Sequence, residues 1–160
     1  MQNTKLIIGL VLFAGISRLI PHPWNFTAVT AMAVLASHKL DNRWLAALLP
    51  VLTLFWTDLF LGFHSTALFV YLGVLIPVLL PKSTHYLTKL VTGSLGFFIL
   101  TNFGVWWAQG LYPLTFEGLI QCFTMALPFY ENQILGDVVY SAVLLGAFYG
   151  LKNLSFLKNA

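Results

Sequence analysis

In 160 residues the chain carries 59% hydrophobic side chains, a mean hydropathy of +0.85 and only 8% Asp, Glu, Lys and Arg, too little charge to cover a soluble domain of this size. The net charge of +3 falls in connections and lacks the basic, aromatic-laced groove that nucleic acid requires. The single Cys122 excludes an internal disulfide and every multi-cysteine metal motif. The composition leaves one all-α transmembrane domain over residues 1–160 whose helices face lipid or one another.

Residues 5–20 read as a first, retained helix. Lys5, the apolar stretch 6–13 and the small Ala14, Gly15 and Ser17 also fit a signal peptide, and a cleaved leader is the alternative. Arg18 follows at once without a small-x-small cleavage site. Pro21 and Pro23 end this helix. A second candidate, 24–40, is slim, with Thr27, Ala31, Ala33 and Ala36 allowing close helix approach. Then come 44–63 with Pro50 inside, 66–81 with Pro77 inside and Pro81 at its end, 87–109, and 133–151. Each approaches the roughly 20 apolar residues that a spanning helix needs, and the internal prolines predict kinks that neighbouring helices accommodate. Ala142, Gly146 and Gly150 give the last helix a small-residue face for a neighbour within the chain or for a partner. The segment 115–130 carries Glu117, Gln121 and Pro128 and has only a short apolar stretch.

Charge decides how that segment counts. Lys5, Lys39, Arg43, Lys82, Lys89, Lys152 and Lys158 sit at the ends of alternate apolar runs, whereas Arg18 is the only cation at the opposite ends. Lys and Arg concentrate in short cytoplasmic loops. That pattern holds throughout if residues 115–130 stay on the outer side as a short re-entrant or interfacial helix. The expectation is therefore six transmembrane helices plus that segment, both termini cytoplasmic, in the bacterial inner (plasma) membrane. A crossing by 115–130, giving seven, is the alternative.

Arg18, Asp58 and Asp137 then lie towards the outer half, where each is costly in hydrocarbon and must face the bundle interior and find a partner. Arg18 is the only nearby cation for either aspartate, so it pairs with Asp58 or with Asp137. Such a network locks helices together or lines an outward pocket. Asn102 and Trp106, four residues apart, share a helix face at the same level. Trp106 is the candidate to stack on a flat ligand, while Trp24, Trp107, Tyr112, Phe129 and Tyr130 fit an interfacial aromatic belt. The candidate ligand set is Arg18, Asp58, Asn102, Trp106 and Asp137, and the candidate rim is His22, Trp24, Asn25, His64, Tyr112 and Glu131. His22 and His64 alone do not make a metal site. Glu131 or Asn132 reads as the cap of the last helix. No nucleophile–base spacing, phosphate-cradling glycine loop or metalloprotease signature is present, so no catalytic residue, cofactor or metal is expected and the chain does not read as an enzyme.

Arg18-Leu-Ile-Pro-His-Pro-Trp-Asn-Phe26, Asp58-Leu-Phe-Leu-Gly-Phe-His64, Thr101-Asn-Phe-Gly-Val-Trp106, Tyr112-Pro-Leu-Thr and Pro128-Phe-Tyr-Glu-Asn-Gln-Ile-Leu-Gly-Asp137 resemble the signature blocks of an uncharacterised family of bacterial membrane proteins described only as candidate transport proteins. The overall plan is also similar to the substrate-binding S component of energy-coupling-factor (ECF) vitamin transporters. That resemblance implies an outward-facing pocket for a small vitamin-like or polar solute. It also implies a transmembrane coupling protein and ATPases as partners beside the lipid bilayer. The alternative is a structural or assembly subunit of a membrane complex, with no solute of its own.

Overall fold

The structure is a computed structural model that describes the backbone of residues 2–157 and the side chains of residues 8–150. Among the described residues there are seven helical segments and no strand: α1 (Gln2–Leu19), α2 (Val29–Lys39), α3 (Arg43–Leu61), α4 (Ala67–Gly73), α5 (Ile76–Leu79), α6 (Tyr86–Ala108) and α7 (Phe116–Leu157). Lys5, Lys152 and Lys158, on which part of the charge pattern rests, lie outside the side chains described.

The centre is α2. Val29 through Ser37 are all buried, because α1, α3, α5, α6 and α7 pack around this one helix. A helix enclosed on every side has no polar face, and Ala31, Ala33 and Ala36 let five neighbours come close. Its 11 residues extend only about 16 Å at the helical rise, half of the roughly 30 Å hydrocarbon core. The apolar run from residue 24 thus overstates the helix. Asn25 adopts φ 64°, a left-handed conformation that asparagine tolerates. Phe26 N–H and Thr27 N–H bond back to the Pro23 and Asn25 carbonyls at 3.0 and 3.1 Å. Residues 23–27 are therefore a turn, which Ser17 of α1 secures by accepting from Ala28 N–H at 2.9 Å.

Among the described residues three helices are long and apolar enough to cross a membrane: Arg43–Leu61, Tyr86–Ala108 and the Phe116–Gly150 part of α7. Ile8–Leu19 and Ala67–Leu79 are shorter apolar stretches. The fourth expected span is interrupted between α4 and α5, and Pro77 starts α5 instead of kinking a continuous helix. On α6, Gly93 leaves the gap that Pro77 fills and Gly96 the gap that Ile76 fills. The long helices show lipid-type patterning. Leu48, Leu52, Phe55 and Leu59 on α3 are exposed, as are Leu87, Val91, Leu95 and Ile99 on α6. Thr53, Thr57, Asp58, Lys89 and Ser94 on the same two helices are buried.

The last helix differs most from the sequence-based expectation. Residues 115–130 form no separate segment, since α7 runs unbroken for 42 residues, about 63 Å. Pro128 is inside it, and Glu131 and Asn132 sit in mid-helix instead of capping a start. The reason is a stripe that continues across the proline: Gly118, Cys122, Ala126, Gln133, Asp137, Ser141 and Leu144 are all buried. That stripe lies antiparallel along α6. Cys122 Sγ donates to the Asn102 carbonyl at 3.4 Å, Gln133 meets Ser94, and Tyr86 OH donates to Ser141 at 3.0 Å. A Cβ built on Gly146 or Gly150 would meet nothing within 4 Å, so the small-residue face at this end of α7 packs on no described part of the chain.

The connections gather at two ends. At one, Arg43 Nη2 donates to the Leu79 carbonyl at 2.5 Å and Lys82 Nζ pairs with Asp41 at 2.5 Å, joining loops 40–42 and 80–85. The Lys82 hydrogen bond holds the Asp41 carboxyl below its ordinary pKa. Lys39 donates to Tyr149 OH at 2.9 Å at this same cationic end. Loops 20–28 and 62–66 lie at the other end, around the cleft described below.

Where α7 crosses the turn before α2, a Cβ on Gly136 would come within 3.1 Å of Phe26 Cα and 3.3 Å of Thr27 N. Gly136→Val is expected to cost about 1–3 kcal/mol through overpacking, whereas Gly146→Val should change stability by less than about 0.5 kcal/mol. Thermal unfolding of detergent-purified protein checks this, and equal costs would contradict the packing described.

Candidate functional site

Arg18 lies in the last turn of α1 and reaches across to α3. Its Nη2 is 2.8 Å from Asp58 Oδ1, while Nη1 donates to Thr57 Oγ1 and, at 3.4 Å, to the Leu54 carbonyl. The Asp58 contact is a close ion pair without an aligned hydrogen bond at Oδ1. The other carboxylate oxygen accepts from Tyr71 OH on α4 at 2.9 Å. Asp58 is 1% exposed, so α1, α3 and α4 are tied through one buried charge. Of the two partners the sequence allowed for Arg18, the structure selects Asp58.

Beside this pair opens a cleft of about 490 Å³, within the range of roughly 300–1,000 Å³ typical of small-molecule sites. Arg18, His22, Trp24 and Asn25 form one side, and His64 stands at the end of α3. Thr27, Val29 and Thr30, at the start of α2, lie beneath. Val70, Val74, Phe97 and Gln133 close the far side. His22 Nδ1 donates to the Pro23 carbonyl at 2.7 Å, and His64 Nδ1 shares a 2.9 Å hydrogen bond with Thr66. Both rings are thereby held at the rim. The first amides of a helix have no intrahelical acceptor, and those of α2 begin where Thr27 and Thr30 line the cleft.

A second polar group starts at the cleft wall and runs inward. Gln133 Nε2 donates to both the carbonyl and the hydroxyl of Ser94, each at 2.8 Å. Asp137, one turn on, has the side chains of Ser94 and Thr30 as neighbours. A third group lies towards the cationic end: Lys89, fully buried, has Ser37 Oγ at 3.2 Å and the Ser37 carbonyl at 3.5 Å.

The sequence-based candidates thus divide. Arg18, His22, Trp24, Asn25 and His64 line the cleft, and Asp58 stands behind Arg18. Asp137 is under the cleft, with Gln133 in the lining position one turn earlier. Asn102 and Trp106 are elsewhere. Asn102 Nδ2 donates to the Phe98 carbonyl at 2.7 Å, and Trp106 Nε1 to the Pro113 carbonyl at 2.9 Å, which secures the turn between α6 and α7. Tyr112 and Glu131 do not line the cleft either. No group of three or more His, Cys, Asp or Glu side chains that could hold a metal occurs among the described residues. Tyr71, Thr30, Ser94 and Gln133 escaped the sequence reading. Gln133, Asp137 and Ser141, four apart in an otherwise apolar run, were the available signal. Lys89 was assigned to the loop cations; it is instead inside the bundle.

The chain belongs to a family of unknown function, DUF6580, which matches residues 1–158. The family's description names no transported solute and no S-component relationship. No curated protein and no solved structure matches the chain.

Removing one member of a buried ion pair strands the other, at about 3–5 kcal/mol, whereas replacing both by apolar groups is often neutral. Asp58→Asn is therefore expected to destabilise by about that amount, and Arg18→Met with Asp58→Leu to recover most of it. Chemical denaturation in detergent measures both. A double variant as unstable as the single one would mean that the pair is not the source of the cost.

Proposed function

We propose that this member of DUF6580 is the membrane-embedded, S-component-like solute-binding subunit of an uptake system, with its cleft facing outward. The observation that carries the reading is the cleft, which joins a hydrogen-bonding floor to apolar walls at the end opposite the cationic loops. Lys and Arg favour the cytoplasmic side. Lys39, Arg43 and Lys82 therefore orient the cleft away from the cytoplasm. Passing between the two ends, the chain makes six crossings: α1, α2, α3, α4 with α5, α6 and α7. Both termini are then cytoplasmic in the plasma membrane. The short crossings are tolerable because irregular or abbreviated backbone is acceptable where protein, not lipid, surrounds it. A half-length helix that begins at a cavity is also how many transporters build a binding site.

The solute this cleft suits is small and partly apolar, with hydrogen-bonding groups. Arg18 contributes shape and donors more than net charge, since Asp58 neutralises it. The sequence carries no phosphate-binding glycine loop, so active uptake requires a separate coupling protein with ATPases, or an ion gradient.

The uncovered Gly146 and Gly150 favour a second reading, an assembly subunit whose α7 docks on a partner. The two readings separate on native mass spectrometry of the detergent-purified full chain. The transport reading expects a retained small molecule that is lost in Val70→Trp, a substitution that fills the cleft. A stable protein complex without any small molecule would instead support the assembly role.

A further inference from the structure

We propose that the floor of the cleft is a monovalent-cation site, with Gln133 Oε1 and Asp137 Oδ2 as its principal ligands. Both atoms are buried without a hydrogen-bond partner, and both residues are 3% exposed. They project from one face of α7, one turn apart. The orientation of the Gln133 amide is set by its contact with the Ser94 carbonyl at 2.8 Å. A carbonyl can only accept, so the amide nitrogen must point there and the amide oxygen must point away. Gln133 and Thr30 line the cleft, so the unpaired, buried amide oxygen belongs to a residue of the cleft wall. Asp137 is one helical turn further along α7, with Thr30 and Ser94 as its hydroxyl neighbours.

Among the described residues no cation answers this carboxylate. Arg18 is paired with Asp58 and Lys82 with Asp41, Lys39 donates to Tyr149 and Arg43 to the Leu79 carbonyl, and Lys89 is held by Ser37. The titratable side chains coupled to Asp137 are the tyrosines Tyr86 and Tyr130, which bring no positive charge. A carboxylate buried in a membrane protein requires a counter-charge or a proton and marks an ion or substrate path. A proton would satisfy Asp137 and leave Gln133 Oε1 unpaired, whereas a cation between them satisfies both. The ligands are all oxygen, which suits hard cations, and carry a single negative charge, which matches a charge of one and not two. Such a cation is either a free ion such as Na⁺ or the ammonium head of the solute. The inference rests on the solute-binding reading only for access through the cleft.

The test uses purified full-length protein in detergent, titrated separately with NaCl and with methylammonium chloride at constant ionic strength set by N-methylglucamine chloride. The readout is the thermal-unfolding midpoint. A saturable rise with Na⁺ assigns a free ion, and a rise with methylammonium alone assigns the head group of a solute. Either rise should vanish in Asp137→Asn, and Gln133→Leu should raise the half-saturating concentration at least tenfold. No saturable response in the wild type, or an undiminished one in Asp137→Asn, overturns the site. Should Asp137→Asn not fold, an unchanged half-saturation in Gln133→Leu overturns it as well. Failure of the two readings is distinguishable. A cation response without a retained small molecule removes the solute and leaves the ion site, whereas a retained molecule without a cation response does the reverse.

Discussion

The fold depends on the complete enclosure of α2. Nine consecutive buried residues, Val29–Ser37, require five neighbouring helices around them, and those neighbours approach closely because this stretch is mostly alanine, serine, threonine and valine with few larger residues. Its length follows from the same constraint. A helix shielded by protein need not match the bilayer thickness, and α2 starts only at Val29, after the turn over residues 23–27. The space between that turn and the helix start is the cleft. The cleft is thus a consequence of central packing, with no added loop or domain.

Polar residues are placed in three layers along this axis. Arg18 with Asp58 and Tyr71 braces the cleft end, Thr30 with Ser94, Gln133 and Asp137 occupies the middle, and Lys89 with Ser37 lies towards the cationic end. Each layer ties together helices that contribute little hydrophobic drive to one another in lipid, where packing and interhelical hydrogen bonds do the joining. The layers differ in balance. The first is charge-neutral, the second holds an unanswered carboxylate, and the third holds a lysine bonded only to serine. This difference in charge balance distinguishes the layers more than the identity of any single residue.

Much of this was legible in the sequence, unevenly. The spans at 44–63 and 87–109 match α3 and α6 to within two residues, because each is a uniform apolar run with clear stops. Asn42 caps α3 by accepting from Leu45 N–H, and Gly62 ends it at φ 88°. The pairing of Arg18 was legible from scarcity, as only one cation lies near two aspartates. The start of α2 was not, since Trp24 and Phe26 look apolar while the backbone turns at Asn25. Pro128 misled for a related reason. A proline costs one helical hydrogen bond, and the buried stripe from Gly118 to Leu144 outweighs that loss. Trp106 and Asn102 share a face as their spacing requires, but the turn at Pro113 engages Trp106 before any ligand can. Hydrophobic runs thus mark spans well, whereas the partners of buried polar groups depend on contacts remote in sequence.

The central claim is that the cleft opens to the outside of the membrane, opposite the cationic loops. Cysteine accessibility in intact cells tests it most directly, in a Cys122→Ala background. A cysteine at Thr27 should react with a membrane-impermeant maleimide added outside, and one at Lys82 should react only after the membrane is permeabilised. Labelling of Lys82→Cys in intact cells, with Thr27→Cys protected until permeabilisation, would contradict the account.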